Sequence, residues 1–237
     1  MRETLVDAIV KHCRIGTVVL LAYKNRNLPS LFNETKGVAF VAYNASFFFL
    51  LEAVMTPLVE GNPQAQAAAV ADFKQTRNTP HVRGPFVPLL RSPELLRRTQ
   101  RVGEYLRFHS ALPPRLSEMA ILVAARHWCQ QYEWTIHSAL ALEAGLAAGV
   151  IDAIAEGRRP VEMADDEAAL HDFCLELLRH QCVSDTTYAR ALALFEERGV
   201  IDTVGILGYY SLLAMVMNTA RTPLREGMVP ALRPFPS

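Results

Sequence analysis

What this 237-residue chain lacks narrows its chemistry first. It carries no net charge, with 24 lysines and arginines against 24 aspartates and glutamates. A nucleic-acid binder needs excess cations to displace counterions from the phosphate backbone, and no basic stripe with interleaved aromatics occurs. Cysteine is scarce. Cys13, Cys129, Cys174 and Cys182 show neither metal-type pairing nor a dense disulfide pattern, so they read as small apolar side chains in a reducing, cytoplasmic setting. No Gly-x-Ser-x-Gly elbow, Walker loop or dinucleotide fingerprint is present, and Gly205 with Gly208 is too short a pair to cradle phosphate. A di-iron carboxylate bundle would need Glu and His three residues apart on two helices, whereas Glu133 and His137 are four apart without a second copy. What remains is an enzyme-sized chain, 51% apolar, with ample material for one core.

The informative residues lie between Leu112 and Gly145. The Pro113–Pro114 pair predicts a helix starting near Pro114, because the amide hydrogen that proline lacks would have no partner in a first turn. Leu116, Met119, Ala120, Leu122 and Val123 recur at helical spacing and give that helix a broad buried face, with Glu118 among them. After His127 and Trp128 a second helical piece carries Cys129, Glu133 and His137 four residues apart, close to one face, and it stops at Gly145. The chemistry this permits is proton transfer. Glu133 and His137, one turn apart, can share a proton or fix the imidazole tautomer, and Glu118 joins them if the two helices pack side by side. The plainer alternative is a solvated i,i+4 contact contributing only ~0.2–0.5 kcal/mol. Tyr132 and Trp134 favour a partly dry pocket, although aromatics are more often simply core.

The run Leu112-Pro-Pro-Arg-Leu-Ser-Glu-Met-Ala-Ile-Leu, followed by Tyr132-Glu-Trp-Thr-Ile-His and Ala144-Gly-Leu, resembles the carboxymuconolactone decarboxylase family, which includes the alkyl hydroperoxidase D-like (AhpD-like) proteins. The likeness continues through Val183-Ser-Asp-Thr-Thr-Tyr, Glu197-Arg-Gly-Val-Ile-Asp and Gly208-Tyr-Tyr with Asn218, covering roughly residues 80 to 222. It implies an all-α, AhpD-like helical fold assembled as a homotrimer or homohexamer. It also implies a small lactone carboxylic acid or related aromatic-catabolism intermediate as substrate, with neither metal nor organic cofactor. Glu118, Glu133 and His137 are then the catalytic residues, with His137 and Glu133 delivering the proton and Glu118 tuning or relaying it. Arg115 and Trp134 are candidates for substrate binding, although an i,i+3 contact with Glu118 is the simpler use of Arg115. His81 and Arg83, in the segment leading into the fold, are candidates to hold an anionic substrate, against the alternative of a surface loop.

The peroxidase branch of the resemblance carries Cys-x-x-Cys, three residues, then His, which would place thiols at positions 130 and 133. Gln130 and Glu133 stand there instead, and Cys129 is one residue out of register, a rotation of about 100 degrees at ~3.6 residues per turn. A dithiol cycle is therefore absent. A hydroperoxidase acting through Cys129 alone is the runner-up, and a non-catalytic oligomeric module the third possibility.

Around this centre the chain divides into an unassigned extension, residues 1–62, a helical domain, residues 63–222, and an irregular tail, residues 223–237. Thr17–Tyr23 is a short β-favouring run, and the adjacent His12 and Cys13 point apart, against a metal site. Val38–Val59 is nearly the ~20 residues needed to cross a bilayer. Asn44 and Glu52 inside it favour packing against the folded domain or a partner over a membrane anchor. Met55 as the natural start is a further alternative. Helices are expected over Gln64–Lys74, Ser92 to Phe108, Ala147–Glu156, Asp165–Arg179, Ser184 to Glu197 and Ile201–Asn218. In the second of these Leu95, Leu96, Val102, Tyr105 and Leu106 form the packed side. Asn78–Pro88, with three prolines and a glycine, cannot be regular helix. Gly199 should close the helix before it, and Ile201–Asn218, apolar almost all round, should be buried, in part by assembly. His171 and His180 read as surface or structural.

Overall fold

A computed structural model of the protein describes residues 63–233. The expectations for Thr17–Tyr23, for Val38–Val59 and for Met55 lie outside these residues. The described residues form helices without strands: α1 Pro63–Arg77, α2 Phe86–Leu89, α3 Pro93–Phe108, α4 Pro114–His127, α5 Gln131–Glu143, α6 Ala148–Ala155, α7 Asp165–His180 and α8 Asp185–Ala220. The fold class is all-α.

Local chemistry sets most of the boundaries. Proline opens α1, α3 and α4, where its missing N–H is no loss. Gly145 (φ 93°) and Gly157 (φ 76°) take the left-handed conformation that ends α5 and α6. Ser184 caps α8, its hydroxyl accepting from the Thr187 amide at 3.3 Å. Ser92 makes no such bond, so proline alone marks the start of α3. Between α1 and α3 the proline-rich segment is irregular apart from the single turn α2, which tolerates Pro88 in its first turn.

Helix α4 is the axis of the fold. Every residue from Met119 to Arg126 is buried, with α5, α7, α8 and α6 packed around it. Ala120, Ala124 and Ala125 give it the small cross-section such encirclement needs. In α3 the packed face differs from the apolar tally: Leu96, Thr99, Gln100, Gly103 and Leu106 face inward, while Leu95, Val102 and Tyr105 are exposed. The reason is polar. Gln100 donates to Asp72 Oδ2 at 2.9 Å, and a Cβ on Gly103 would meet the Tyr209 hydroxyl and the Arg77 guanidinium. The stripe that packs is thus rotated from the one that apolar residues alone mark.

The last two predicted helices are joined. Helical bonding continues from Asp185 to Ala220, and the break falls at Glu196 (φ 57°, ψ 174°) rather than at Gly199, which is buried within the second half. That half is buried on one side only. Ile206, Tyr210, Leu213 and Met217 enter the core, whereas Ile201, Val204 and Met215 are exposed. Although α8 is long and apolar enough to cross a bilayer, over half of its most apolar window is packed inside the fold. Asp202 anchors it to α3 and the following loop, accepting from the Tyr105 hydroxyl at 3.1 Å and the Ala111 amide at 2.7 Å.

Candidate functional site

The site is assembled by the turn between α4 and α5. Cys129 takes a positive φ of 49° there and reverses the chain. The Gln130 side-chain carbonyl then accepts from the amides of Tyr132 at 2.6 Å and Glu133 at 3.2 Å, capping α5. Its amide donates to Asn218 Oδ1 at 3.1 Å, and the Asn218 amide donates to the Trp128 carbonyl at 3.0 Å. The first turn of α5 is thereby tied to the end of α8. Helix α5 accordingly begins at Gln131, so Cys129 lies outside it and does not share a face with Glu133 and His137.

This anchoring drives Glu133 inward. The residue is 3% exposed, and neither carboxylate oxygen has a hydrogen-bond partner. Burial pushes its pKa well above the ordinary carboxylate range. The N-terminal turn of a helix favours negative charge by about 0.3–1 kcal/mol, but withdrawing an ion from water costs several kcal/mol. Desolvation wins, and Glu133 holds its proton far beyond the usual acid range.

One turn on, His137 Nδ1 lies 2.6 Å from Glu118 Oε2, a contact reaching from α5 to α4. The imidazole packs edge-on against Tyr210, ring centroids 5.0 Å apart. Burial raises the Tyr210 phenol pKa well above its usual value, keeping that hydroxyl neutral. In neutral imidazole, Nδ1–H donating to the carboxylate leaves the Nε2 lone pair free to accept a proton. When His137 is charged, Glu118 balances it.

Glu133 and His137 open together on a cavity of about 390 Å³ between α1, α5, α8 and the segment preceding α2. His81 and Arg83 from that segment line the same cavity, as do Arg107 and Arg225. Arg225 donates to the Tyr132 hydroxyl at 2.8 Å and stacks over its ring at 5.3 Å. Neither Arg83 nor Arg107 has a carboxylate partner among the described residues. With Glu133 the only acidic residue in the wall among the described residues, the cavity is suited to an anion. Gly84 (φ 59°) lets the segment approach closely, since a Cβ there would come 2.6 Å from the Tyr132 ring. Glu118 stands behind His137 and faces a second hollow of about 240 Å³, bounded by Arg107, Ser117 and Tyr210 among others.

Three candidates lie elsewhere. Arg115 pairs with Asp166 at 2.7 Å and with Glu167, both at the start of α7, and not with Glu118. It joins two helices rather than reaching a substrate. Trp134 is core, 3% exposed and absent from the cavity wall; adjacent to Glu133 on a helix, it points about 100 degrees away. Cys129 is half-buried and 3.6 Å from Arg126 Nη1, also outside the cavity. A lone-thiol peroxidase therefore lacks a thiol beside the acid/base pair. Among the described residues no three His, Cys, Asp or Glu side chains converge to hold a metal ion.

Arg107, Arg225, Tyr210 and the cap Gln130 carry the site without having been singled out by spacing or charge. In the sequence, Gly208-Tyr-Tyr and Asn218, where the likeness continues, were the signals pointing to this part of α8. Arg107 is one of several arginines on α3, and nothing in its local sequence separates it from those that face solvent.

Residues 93–171 match the model of the Carboxymuconolactone decarboxylase family. That span is shorter at both ends than the likeness read across residues 80–222. No curated protein matches the chain. The match covers α3, α4 and α5 and with them Glu118, Glu133 and His137. The segment from Pro93 to His171 is thus similar to the carboxymuconolactone decarboxylase family, and the described residues form an all-α fold.

Proposed function

We propose that the cavity performs cofactor-independent acid/base chemistry, decarboxylation or proton transfer, on a small lactone carboxylic acid. The observation that carries this reading is one cavity holding a buried, partnerless carboxyl, Glu133, beside an imidazole braced by Glu118 at 2.6 Å. A carboxyl that burial keeps protonated, one helical turn from an imidazole, gives acid/base catalysis a proton donor and a proton acceptor in one cavity.

In the decarboxylation, Arg83, Arg107 and Arg225 receive the substrate carboxylate. The bond from the ring carbon to that carboxylate breaks, carbon dioxide leaves, and the electron pair spreads onto the lactone carbonyl. Glu133, entering as the neutral acid, delivers its proton to carbon. His137 takes up a proton from solvent and returns it to the Glu133 carboxylate, with Glu118 stabilising the transient imidazolium. Glu118 is a positioning residue in this scheme, acting through His137. For the assembly we propose a homotrimer or homohexamer, with the exposed face of α8 at Ile201, Val204 and Met215 as the contact.

A panel of lactone carboxylic acids and hydroperoxides, scored for carbon dioxide release and peroxide loss, tests the chemistry. Turnover of a lactone acid that disappears in His137→Ala, with helicity and melting behaviour retained, is the expected result. Turnover unchanged in that variant would remove the proposal. Peroxide consumption lost in Cys129→Ser would replace it with the thiol reading.

A further inference from the structure

Arg77, the last residue of α1, lines the Glu133 cavity together with Tyr209 of α8. Helix α3 is shaped to receive both. Gly103 lies within α3, where glycine is unfavourable, and a Cβ there would stand 2.1 Å from the Tyr209 hydroxyl and 2.5 Å from Arg77 Nη2. In the room left by the missing side chain, Arg77 Nη2 donates to the Gln100 carbonyl at 2.9 Å and to the Tyr209 hydroxyl at 3.3 Å. The guanidinium also lies over the Phe86 ring, 5.3 Å from its centroid.

Fastening three helices together does not use up these groups. Both bonds come from Nη2, while Nε is enclosed without a partner and Nη1 makes no hydrogen bond among the described residues. No carboxylate there pairs with Arg77. Glu133, the acid in the same wall, is not its counterion, since burial alone sets the direction of that carboxyl's pKa. The Tyr209 hydroxyl accepts from Arg77 and keeps its own hydrogen uncommitted. Burial raises its pKa, Arg77 lowers it and Glu133 raises it, so the three groups share one electrostatic neighbourhood. A half-buried cation without a counterion is costly, and a cavity wall is where such a cost can serve a ligand.

The cavity's other arginines, Arg83, Arg107 and Arg225, are exposed and suit a charge that arrives with the substrate. A donor clamped before the reaction suits charge that develops during it. Tight pairing of Arg77 with the departing carboxylate would instead stabilise the ground state and slow the loss of carbon dioxide. Resting on the decarboxylation reading above, we propose that Arg77 and Tyr209 form an oxyanion subsite, donating hydrogen bonds to the lactone carbonyl oxygen as it becomes an enolate. The bond to the carboxylate carbon breaks, carbon dioxide leaves, and the electron pair forms the enolate double bond while the carbonyl pair moves onto oxygen. Arg77 and Tyr209 keep their protons throughout. When Glu133 protonates carbon, the carbonyl re-forms and the hydrogen bonds weaken.

The test uses the full-length protein and 4-hydroxy-3-nitrobenzoate, whose phenol oxygen stands in for the enolate oxygen and whose absorbance reports its ionisation. In the wild type the bound phenol should ionise about one pH unit or more below its value in water. Arg77→Met should abolish that displacement, Arg77→Lys should restore part of it, and Tyr209→Phe should reduce it. Arg83→Ala should weaken binding and leave the displacement in place. With a lactone acid that turns over, Arg77→Met should lower kcat by about 10²–10³-fold with KM little changed. Absence of binding to the wild type, a displacement unaltered in Arg77→Met, or one lost in Arg83→Ala would overturn the assignment. Should Arg77→Met melt early, Tyr209→Phe decides, and an unmoved midpoint there refutes it equally. Displacement that depends on Arg77, without turnover of any lactone acid, would support the subsite and remove the lactone-acid reading. Turnover lost in His137→Ala but unaffected in Arg77→Met would keep that reading and remove the subsite.

Discussion

Replacing Glu133 by glutamine isolates the consequence of burying an acid without partners. The amide is nearly isosteric and equally unpaired, so its packing and polar costs do not vary with pH. The carboxyl differs. Its folded-state pKa is raised well above the unfolded value, so across the interval between the two the folded protein binds more protons than the unfolded chain. Stability then falls as pH rises, by about 1.4 kcal/mol per pH unit for one proton. The wild type should lose stability at that slope relative to Glu133→Gln from about pH 4.3, the ordinary carboxyl value, up to the raised pKa. The difference is constant outside that window. Urea unfolding of both proteins over a pH series measures it, and contributions from other titrating groups, such as His171 and Asp172, cancel in the subtraction. Parallel stabilities between about pH 5 and 6 would mean that Glu133 ionises as an ordinary carboxyl. The neutral-acid role would then fall.

The same geometry sets further expectations. Gln130→Ala removes the α5 cap and the link to Asn218, and should cost about 1–2 kcal/mol in chemical denaturation. Gly103→Ala should destabilise by about 1–3 kcal/mol, overpacking against Tyr209 and Arg77 outweighing alanine's better helix propensity. Gly149→Ala, with open space around its Cβ, should instead stabilise α6 by about 0.5–1 kcal/mol; the two melting shifts should have opposite signs. Sedimentation of the native protein should give a trimer or hexamer that Ile201→Glu dissociates, and a wild-type monomer would refute the proposed contact.

Where local chemistry decides, the sequence and the structure agree. Prolines 93 and 114 and glycines 145 and 157 act within one turn of themselves, so the helix ends they mark were readable without tertiary knowledge. Non-local partners account for the differences. The start of α5 rests on Gln130 reaching Asn218, 88 residues away in sequence, and glutamine is not a residue that advertises a cap. Spacing proposed Glu133 as the partner of His137, whereas helix packing selected Glu118, 19 residues away. Arg115 followed the same logic, finding Asp166 and Glu167 on α7 instead of the acid one turn along its own helix. Counting apolar residues misplaced the packed face of α3 because Gln100 and Gly103 are buried for polar and steric reasons that hydropathy does not register.

These differences alter the chemistry as well as the contacts. Had Glu133 bonded His137, the pair would have shared one proton and neither member would have been held as a free acid. With Glu118 taking the imidazole, Glu133 has no charge partner and desolvation alone governs it, which keeps the proton in place. The arginines around the cavity do not reverse this, because Arg83 and Arg107 are exposed and solvent weakens their field at the buried carboxyl. An anionic substrate seated on them would place a second negative charge near Glu133 and make its ionisation harder still. In the proposed decarboxylation, binding and protonation would therefore reinforce each other, keeping Glu133 neutral until the carbanion forms.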